Sequence, residues 1–215
     1  MSGERTSIAI PTGVLTSGAL ELLARSGLIQ LSPEELGRQL LVDRSGLRVI
    51  LVRPTDVPAY VDHGAADLGI VGKDILWETP GAHYELVDLH LGPCRLVLAV
   101  PDSSSLDGPE TWPPLVRIAT KYPRTAAAWF ESRGQAVEVV RLHGSVELAP
   151  LVGLVDGIVD LTATGRTLRE NHLRVTAVLG DSTARLIANQ ASLKTRTQAV
   201  QSVVSKLREV AGVAR

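Results

Sequence analysis

Asp156-Gly157-Ile158-Val159-Asp160-Leu161-Thr162-Ala163-Thr164-Gly165-Arg166-Thr167-Leu168 decides how this chain is read. Ile158 and Val159 make a short buried strand that ends on an acid. A turn rich in threonine and glycine follows, and a helix begins at its far side. Gly165 tolerates a left-handed or tight backbone and lets main-chain N–H groups approach a bound group closely. Thr162, Thr164 and Thr167 add hydroxyl donors, and the helix start supplies unpaired N–H groups at its positive dipole end. This donor set suits a phosphate monoester. Asp160 suits the vicinal hydroxyls of a ribose, so a sugar 5-phosphate fits both halves. The same residues also make an ordinary strand-to-helix turn with Thr164 or Thr167 as its N-cap, and on this stretch alone the two readings stand level.

Outward from that stretch the chain alternates strand and helix signals. Strands are expected at 7–10, 40–42, 48–52, 67–72, 84–89 and 95–100, then at 116–120, 137–142, 174–179 and 184–189. Helices are expected from Leu15 to Gly27, and from Thr55, as N-cap, to about His63. Further helices are expected over 122–133 and 146–154, with a long terminal one over 193–212 carrying Ala199, Val203, Leu207 and Val210 on one stripe. Residues 29–38 read as polar turns, and 101–114, rich in Asp, Ser, Gly and Pro, as a surface loop. The alternation predicts a parallel α/β architecture, and the 101–114 break predicts two lobes. If 184–189 returns to the first sheet, the lobes share two crossings with a cleft between them. The expected division is 1–94 plus 184–215 as the first domain and 95–183 as the second, which carries the phosphate turn. Ligands of open α/β sheets bind beyond the carboxyl ends of strands. Arg53, Lys73, Thr120-Lys121 and the 160–167 turn all fall there, and that convergence favours a functional site over packing.

Composition excludes several classes. The 215 residues are 45% hydrophobic, enough for a core, and the net charge is −1 with charges scattered singly. No basic stripe points to nucleic acid and no polybasic cluster to a membrane surface. The longest apolar runs are strand-length, and Met1-Ser2-Gly3-Glu4-Arg5 opens no apolar signal region. The single cysteine, Cys94, fits a reducing cytoplasm. Aromatics are 3% of residues, so stacking platforms for bases are scarce, and Trp77, Trp112 and Trp129 read as packing.

Several segments resemble the ATP phosphoribosyltransferase family of histidine biosynthesis. These are Arg53-Pro54-Thr55-Asp56-Val57-Pro58, residues 65–74, Gly92-Pro93-Cys94-Arg95-Leu96, and Ala119-Thr120-Lys121-Tyr122-Pro123. The run 144–168 and residues 182–189 complete the set. They span most of the chain in order. The resemblance implies a two-lobed, periplasmic-binding-protein-like fold of type II. It also implies an activity in which adenine N1 of ATP attacks C1 of phosphoribosyl pyrophosphate and pyrophosphate leaves. Mg²⁺ would accompany the pyrophosphate, its protein ligands left open. Asp160 would engage the ribose, and Thr162, Ala163, Thr164, Gly165, Arg166 and Thr167 would cradle the 5-phosphate. Arg53 and Arg38 would offset negative charge on the leaving group and triphosphate. Glu147 serves equally as helix-start support or as a ribose or Mg²⁺ contact. Thr12, Gly13, Lys73 and Lys121 would handle the nucleotide.

Two departures from the family pattern stand out. Pro11-Thr12-Gly13-Val14 replaces the usual Pro-Lys-Gly-Arg, so two cations are missing. The chain also lacks the added regulatory domain of the long form. It therefore resembles the short form, a homodimeric catalytic core that works with a regulatory subunit similar to histidyl-tRNA synthetase. The missing cations leave room for a non-catalytic ligand-binding or regulatory module of the same fold; the 160–168 turn, Arg53 and Lys73 weigh against it.

Overall fold

The alternating signals resolve into two sheets in the computed structural model, which describes residues 5–108 and 111–213; the N-terminal reading at Met1 to Glu4 lies outside them. The strands in chain order are β1 (Thr6–Pro11), β2 (Leu41–Arg44), β3 (Leu47–Val52), β4 (Leu68–Gly72), β5 (Tyr84–Asp88) and β6 (Cys94–Pro101). They continue with β7 (Leu115–Thr120), β8 (Ala136–Arg141), β9 (Gly157–Thr162), β10 (Leu173–Ser182) and β11 (Ala184–Ala188). The helices are α1 (Thr16–Arg25), α2 (Pro33–Leu36), α3 (Val57–Asp62), α4 (Lys73–Glu78) and α5 (Pro123–Glu131). After them come α6 (Leu148–Leu151), α7 (Arg166–Glu170), α8 (Gln190–Thr195) and α9 (Thr197–Val213).

The chain divides into two compact units, Met1–Gly92 with Thr183–Arg215, and Pro93–Ser182. In the first, the sheet order is β2-β3-β1-β4-β11-β5, and in the second β10-β6-β9-β7-β8. Strand β11 does return to the first sheet, so the chain passes between the units twice. The sheets are mixed, not parallel throughout. Strands β3, β1 and β4 run parallel, as do β8, β7 and β9, but β2, β11, β6 and β10 pair antiparallel with their neighbours. The β2–β3 reversal comes from a two-residue link, Ser45-Gly46, with both residues at positive φ, the conformation that matches hairpin twist. Strands β6 and β11 enter their sheets directly after a crossing, with no helix to make a parallel return.

Apolar burial fixes the rest. Ile8 and Ile10 of β1, Val49 of β3, Leu68 and Ile70 of β4 and Leu186 of β11 build one core with α1 and α9. Val97, Ala99, Ala119 and Ile158 anchor the other. The buried stripe of α9 is Val200, Val203, Val204, Leu207 and Ala211, while Ala199 is exposed. Each of its valines and Leu207 contributes about 1.5–3 kcal/mol by leaving water. Trp112 and Trp129 pack on the buried Phe130, at 5.3 and 5.0 Å between ring centroids, in keeping with a packing role.

Several helix expectations change. Residues 29–38 contain α2, whose Ser32 and Glu35 cap one another and whose first residue is Pro33, a full capping box. Thr55 does not cap: Pro54–Asp56 forms a 3₁₀ turn, Thr55 Oγ1 bonds Asp56, and α3 starts without a side-chain cap. The helix expected over 146–154 shrinks to α6, hemmed in by Ser145 and Gly153, both at positive φ. Lys73 opens α4, where only a strand end was expected. The terminal helix is broken at Arg196, whose guanidinium turns inward to Asp67 at 2.7 Å. That buried pair outweighs the continuity of the helix pattern.

Candidate active site

In the second unit the parallel neighbours β7 and β9 place their carboxyl ends together. Thr120 is paired with Val159, so Lys121 arrives beside Asp160, with Nζ 3.8 Å from Oδ2. Thr120 is fully buried and fixes that junction: its hydroxyl donates to Val159 O at 2.6 Å and accepts from Tyr122 N at 2.9 Å. Strand β8 lies on the other side of β7, and Leu142 N bonds Thr120 O. The segment that follows carries Glu147, close enough to act on Asp160. Asp160 is 7% exposed and receives one short backbone bond, from Leu161 N at 2.9 Å. Burial therefore holds its carboxyl above the usual carboxylate range; Lys121 and the Leu161 N–H pull it down, and Glu147 pushes it further up. The attraction to Lys121 is about 4 kcal/mol at an effective dielectric of about 20, but the lysine is exposed and screening reduces that to about 1 kcal/mol. Desolvation wins.

The turn after β9 is organised by its own side chains. Gly165 takes a left-handed φ of +72° at the N-cap of α7, and neither Thr164 nor Thr167 fills that position. Gly165 N donates to Thr162 Oγ1 at 2.8 Å, and Arg166 N reaches Thr164 Oγ1 at 3.4 Å. A hydroxyl that accepts one bond keeps its own proton to donate, so Thr162 is prepared as a donor to an anion. No hydrogen bond engages the amides of Ala163, Thr164 and Thr167 among the described residues. Three open amides and a donor-set hydroxyl on a tight glycine turn form a concave anion cradle.

In the first unit, β3, β1 and β4 are parallel neighbours, and the expected residues gather at their carboxyl edge. Thr12 N bonds Val52 O at 2.8 Å, which sets the β1 turn beside Arg53. Gly13 completes that turn at φ +94°, and Val14 is 95% exposed. Arg38 sits just before β2, whose antiparallel start lies at the end of β3 through Leu51 N to Leu40 O, 2.8 Å. Arg38 and Arg53 are both exposed. Lys73 follows β4, but its ammonium is tied to Glu85 at 2.5 Å, and Glu85 also faces Arg185 at 3.5 Å. Lys73 is thus part of an ion-pair cluster rather than a free cation.

Sequence reading missed Asp67, Glu85, Arg185 and Arg169. Arg169 Nη1 donates to Thr164 O at 3.0 Å and steadies the turn from behind; its place four residues after Gly165 is the only sequence signal for this. Asp67 and Glu85 sit among strand residues, and nothing local marks their distant partners.

The profile of the ATP phosphoribosyltransferase family matches residues 53–209. An ATP phosphoribosyltransferase of Rubrobacter xylanophilus is 48% identical over 93% of this chain and 94% of its own length. In structure, the chain is similar to the ATP phosphoribosyl transferase (HisG:HisZ) complex from Thermotoga maritima, with 35% identity, a TM-score of 0.82, and coverage of 96% of this chain and 98% of that one. It is also similar to a periplasmic sulfonate-binding protein from Methylobacillus flagellatus, with 18% identity, a TM-score of 0.62, and coverage of 96% of this chain and 68% of that one. This last likeness concerns the fold alone, a periplasmic-binding-protein fold of type II.

Proposed function

Because the chain belongs to the ATP phosphoribosyltransferase family, we propose that it condenses ATP with 5-phosphoribosyl 1-pyrophosphate, giving N1-(5-phosphoribosyl)-ATP and pyrophosphate in the first step of histidine biosynthesis. The observation that carries this reading is the 162–167 turn, with its open amides and its Thr162 hydroxyl set to donate, next to a buried acid. In this assignment the turn takes the 5-phosphate and Asp160 takes the ribose hydroxyls. Lys121 and Glu147 set the charge at Asp160. Arg53 and Arg38 take charge on the departing pyrophosphate and the triphosphate, with the Thr12-Gly13 turn beside them; Lys73 enters through its pair with Glu85. Adenine N1 forms the new bond to C1 as the bond from C1 to the pyrophosphate oxygen breaks. The nucleophile is a ring nitrogen with a free lone pair, so the protein's share is positioning and electrostatics, not proton abstraction.

Mg²⁺ fits this site as a companion of the diphosphate. Among the described residues no three His, Cys, Asp or Glu side chains converge into a cage. Asp160 and Glu147 would supply the one or two carboxylates such an ion takes alongside phosphate oxygens and water. When bound it would neutralise charge on the leaving diphosphate. We also assign the chain a regulatory partner of the kind present in the Thermotoga maritima complex, similar to histidyl-tRNA synthetase, around a homodimeric catalytic core in the cytoplasm. No helix of the described residues is long and apolar enough to cross a membrane. The alternative of a non-catalytic module is not favoured.

The test mixes the chain with ATP, phosphoribosyl pyrophosphate and Mg²⁺, with and without the regulatory partner, and follows pyrophosphate and the adduct's absorbance. Formation of both products in equal amounts is expected. Binding of both substrates without any product, partner present, would instead point to the non-catalytic module.

A further inference from the structure

Strand β5 is irregular, and its irregularity aims an acid. Along the β5–β11 ladder Asp88 stands opposite Arg185 and Val87 opposite Leu186, but Glu85, not Leu86, stands opposite Ile187. Leu86 is an extra residue on β5, a bulge, and bulges redirect the side chains beside them. In a regular strand Glu85 and Asp88, three residues apart, would point to opposite faces. The bulge puts both on the face of Arg185. A four-charge cluster results inside the first unit. Asp88 Oδ2 pairs with Arg185 Nη1, while Asp88 Oδ1 accepts from Thr183 Oγ1 at 2.8 Å and from His90 N at 2.9 Å. That end is fixed. Glu85 is divided: Oε2 lies 2.5 Å from Lys73 Nζ, and Oε1 lies 3.5 Å from Arg185 Nε. The longer contact is not a hydrogen bond, and Arg185 Nε is a buried donor without a hydrogen-bond partner.

Two cations and two acids balance here, so Lys73 has no charge to spare for an anion while Glu85 holds it. A buried donor left unbonded is costly, and Arg185 Nε marks where the Glu85 carboxylate can go. We propose that Glu85 is a specificity-determining residue that guards Lys73: an anionic nucleotide takes the ammonium, and the released carboxylate closes on Arg185 Nε. This rests on the reading above, in which Lys73 lies on the ATP side. The exchange conserves hydrogen bonds within the protein, because the one lost between Lys73 and Glu85 is replaced by one from Arg185 Nε. It also sets a threshold. A ligand wins Lys73 only by offering it more negative charge than one carboxylate does, as a triphosphate can.

ATP titrated into the full chain by calorimetry, at constant Mg²⁺ and ionic strength, tests the exchange without any need for turnover. Glu85→Gln keeps the shape and removes the competing charge, so ATP should bind about two- to five-fold tighter. With Lys73→Ala already in place, Glu85→Gln should change the affinity by less than about 1.5-fold, since a coupling carried by one contact vanishes with either partner. Arg185→Lys keeps the charge but lacks the waiting donor. It should weaken ATP binding by a similar two- to five-fold factor, and only while Glu85 is present; if that variant does not fold, the Glu85 and Lys73 arms decide alone. A merely structural brace predicts equal or weaker binding in Glu85→Gln, and that result would overturn the proposal. So would a tightening that survives Lys73→Ala, which would be long-range repulsion by the acid. Equal ATP binding by Lys73→Ala would end the proposal while leaving the transfer reaction standing. No ATP binding by the wild type would instead remove the reading of the function, and the proposal with it.

Discussion

Asp67, just before β4, and Asp160, two residues before the end of β9, are both buried acids, one in each unit, and they are held in opposite ways. Asp67, just before β4, receives Ser7 N at 2.7 Å, Ser7 Oγ at 2.9 Å, Ser192 Oγ at 2.7 Å and two contacts from Arg196. Burial pushes its carboxyl up, but those hydrogen bonds and the arginine outweigh it, and its pKa falls below the ordinary value. Asp160 has one backbone donor and a lysine at 3.8 Å, and its pKa rises. The difference fits the proposed roles, Asp67 holding the fold and Asp160 meeting the ribose. An acid whose lone pairs are all filled by the fold has nothing left for a ligand, whereas a buried acid left short of partners keeps lone pairs to offer one.

The largest way to break the comparison is at its satisfied end. Arg196→Met should lower stability by about 3 kcal/mol, because it leaves a buried carboxylate short of its counter-charge. Urea unfolding at pH 7 measures it; a loss under about 1 kcal/mol would mean the two serines hold the acid alone. Next comes the turn. Gly165→Val forces a β-branched residue into φ +72°, which costs about 1–2 kcal/mol, so affinity for phosphoribosyl pyrophosphate should fall about ten-fold. The contact with Arg169 adds less, since the end of a flexible side chain can move. Gly153→Val, strained at the same φ of +72° but outside the turn, should cost stability and leave that affinity unchanged.

Asp160→Asn sharpens the contrast by its sign. A raised folded pKa means that ionised Asp160 weakens the fold. That cost appears as pH rises from the ordinary 3.8 through the raised value, and it is fully present above it. The amide variant should therefore be more stable than wild type at pH 7, by less than either loss above, while binding the ribose substrate more weakly. For Asp67 the window is reversed. Its contribution is full above 3.8 and is lost as pH falls through the lowered folded value. A denaturation series from pH 3 to 7 on wild type and Asp160→Asn would separate the two slopes; parallel curves would count against the assignment of Asp160.

The smallest effect is at the first unit's own glycine turn. Thr12→Lys, alone or with Val14→Arg, adds cations at an exposed strand end. Such charges gain about 0.5–1 kcal/mol each, so ATP affinity should tighten a few-fold, more at low ionic strength. Titrations at two salt concentrations decide it. No change in either variant would mean this turn does not meet the nucleotide.

The sequence by itself determined what depends on near neighbours. Strand and helix alternation gave the α/β class, because buried aliphatic runs such as 96–100 and the glycine and proline stops between them are local signals. The 160–167 turn was legible because its donors are contiguous and its glycine sits where the chain must take positive φ. The capping box at Ser32 and Glu35 was equally local, and it was available to be read. The tertiary structure decided what depends on partners distant in the chain. Arg196 breaks a continuous helical pattern because Asp67, 129 residues away, offers a buried counter-charge that no local propensity can match. Lys73 looked like a free cation until Glu85, which also faces Arg185, met it across the sheet. The sheets became mixed because strands entering directly from a crossing pair where they land, and periodicity along one strand carries no record of its neighbour's direction. The same physics separated Asp67 from Asp160: each is an aspartate beside an apolar run, and only the assembled fold fills the lone pairs of one and leaves the other short.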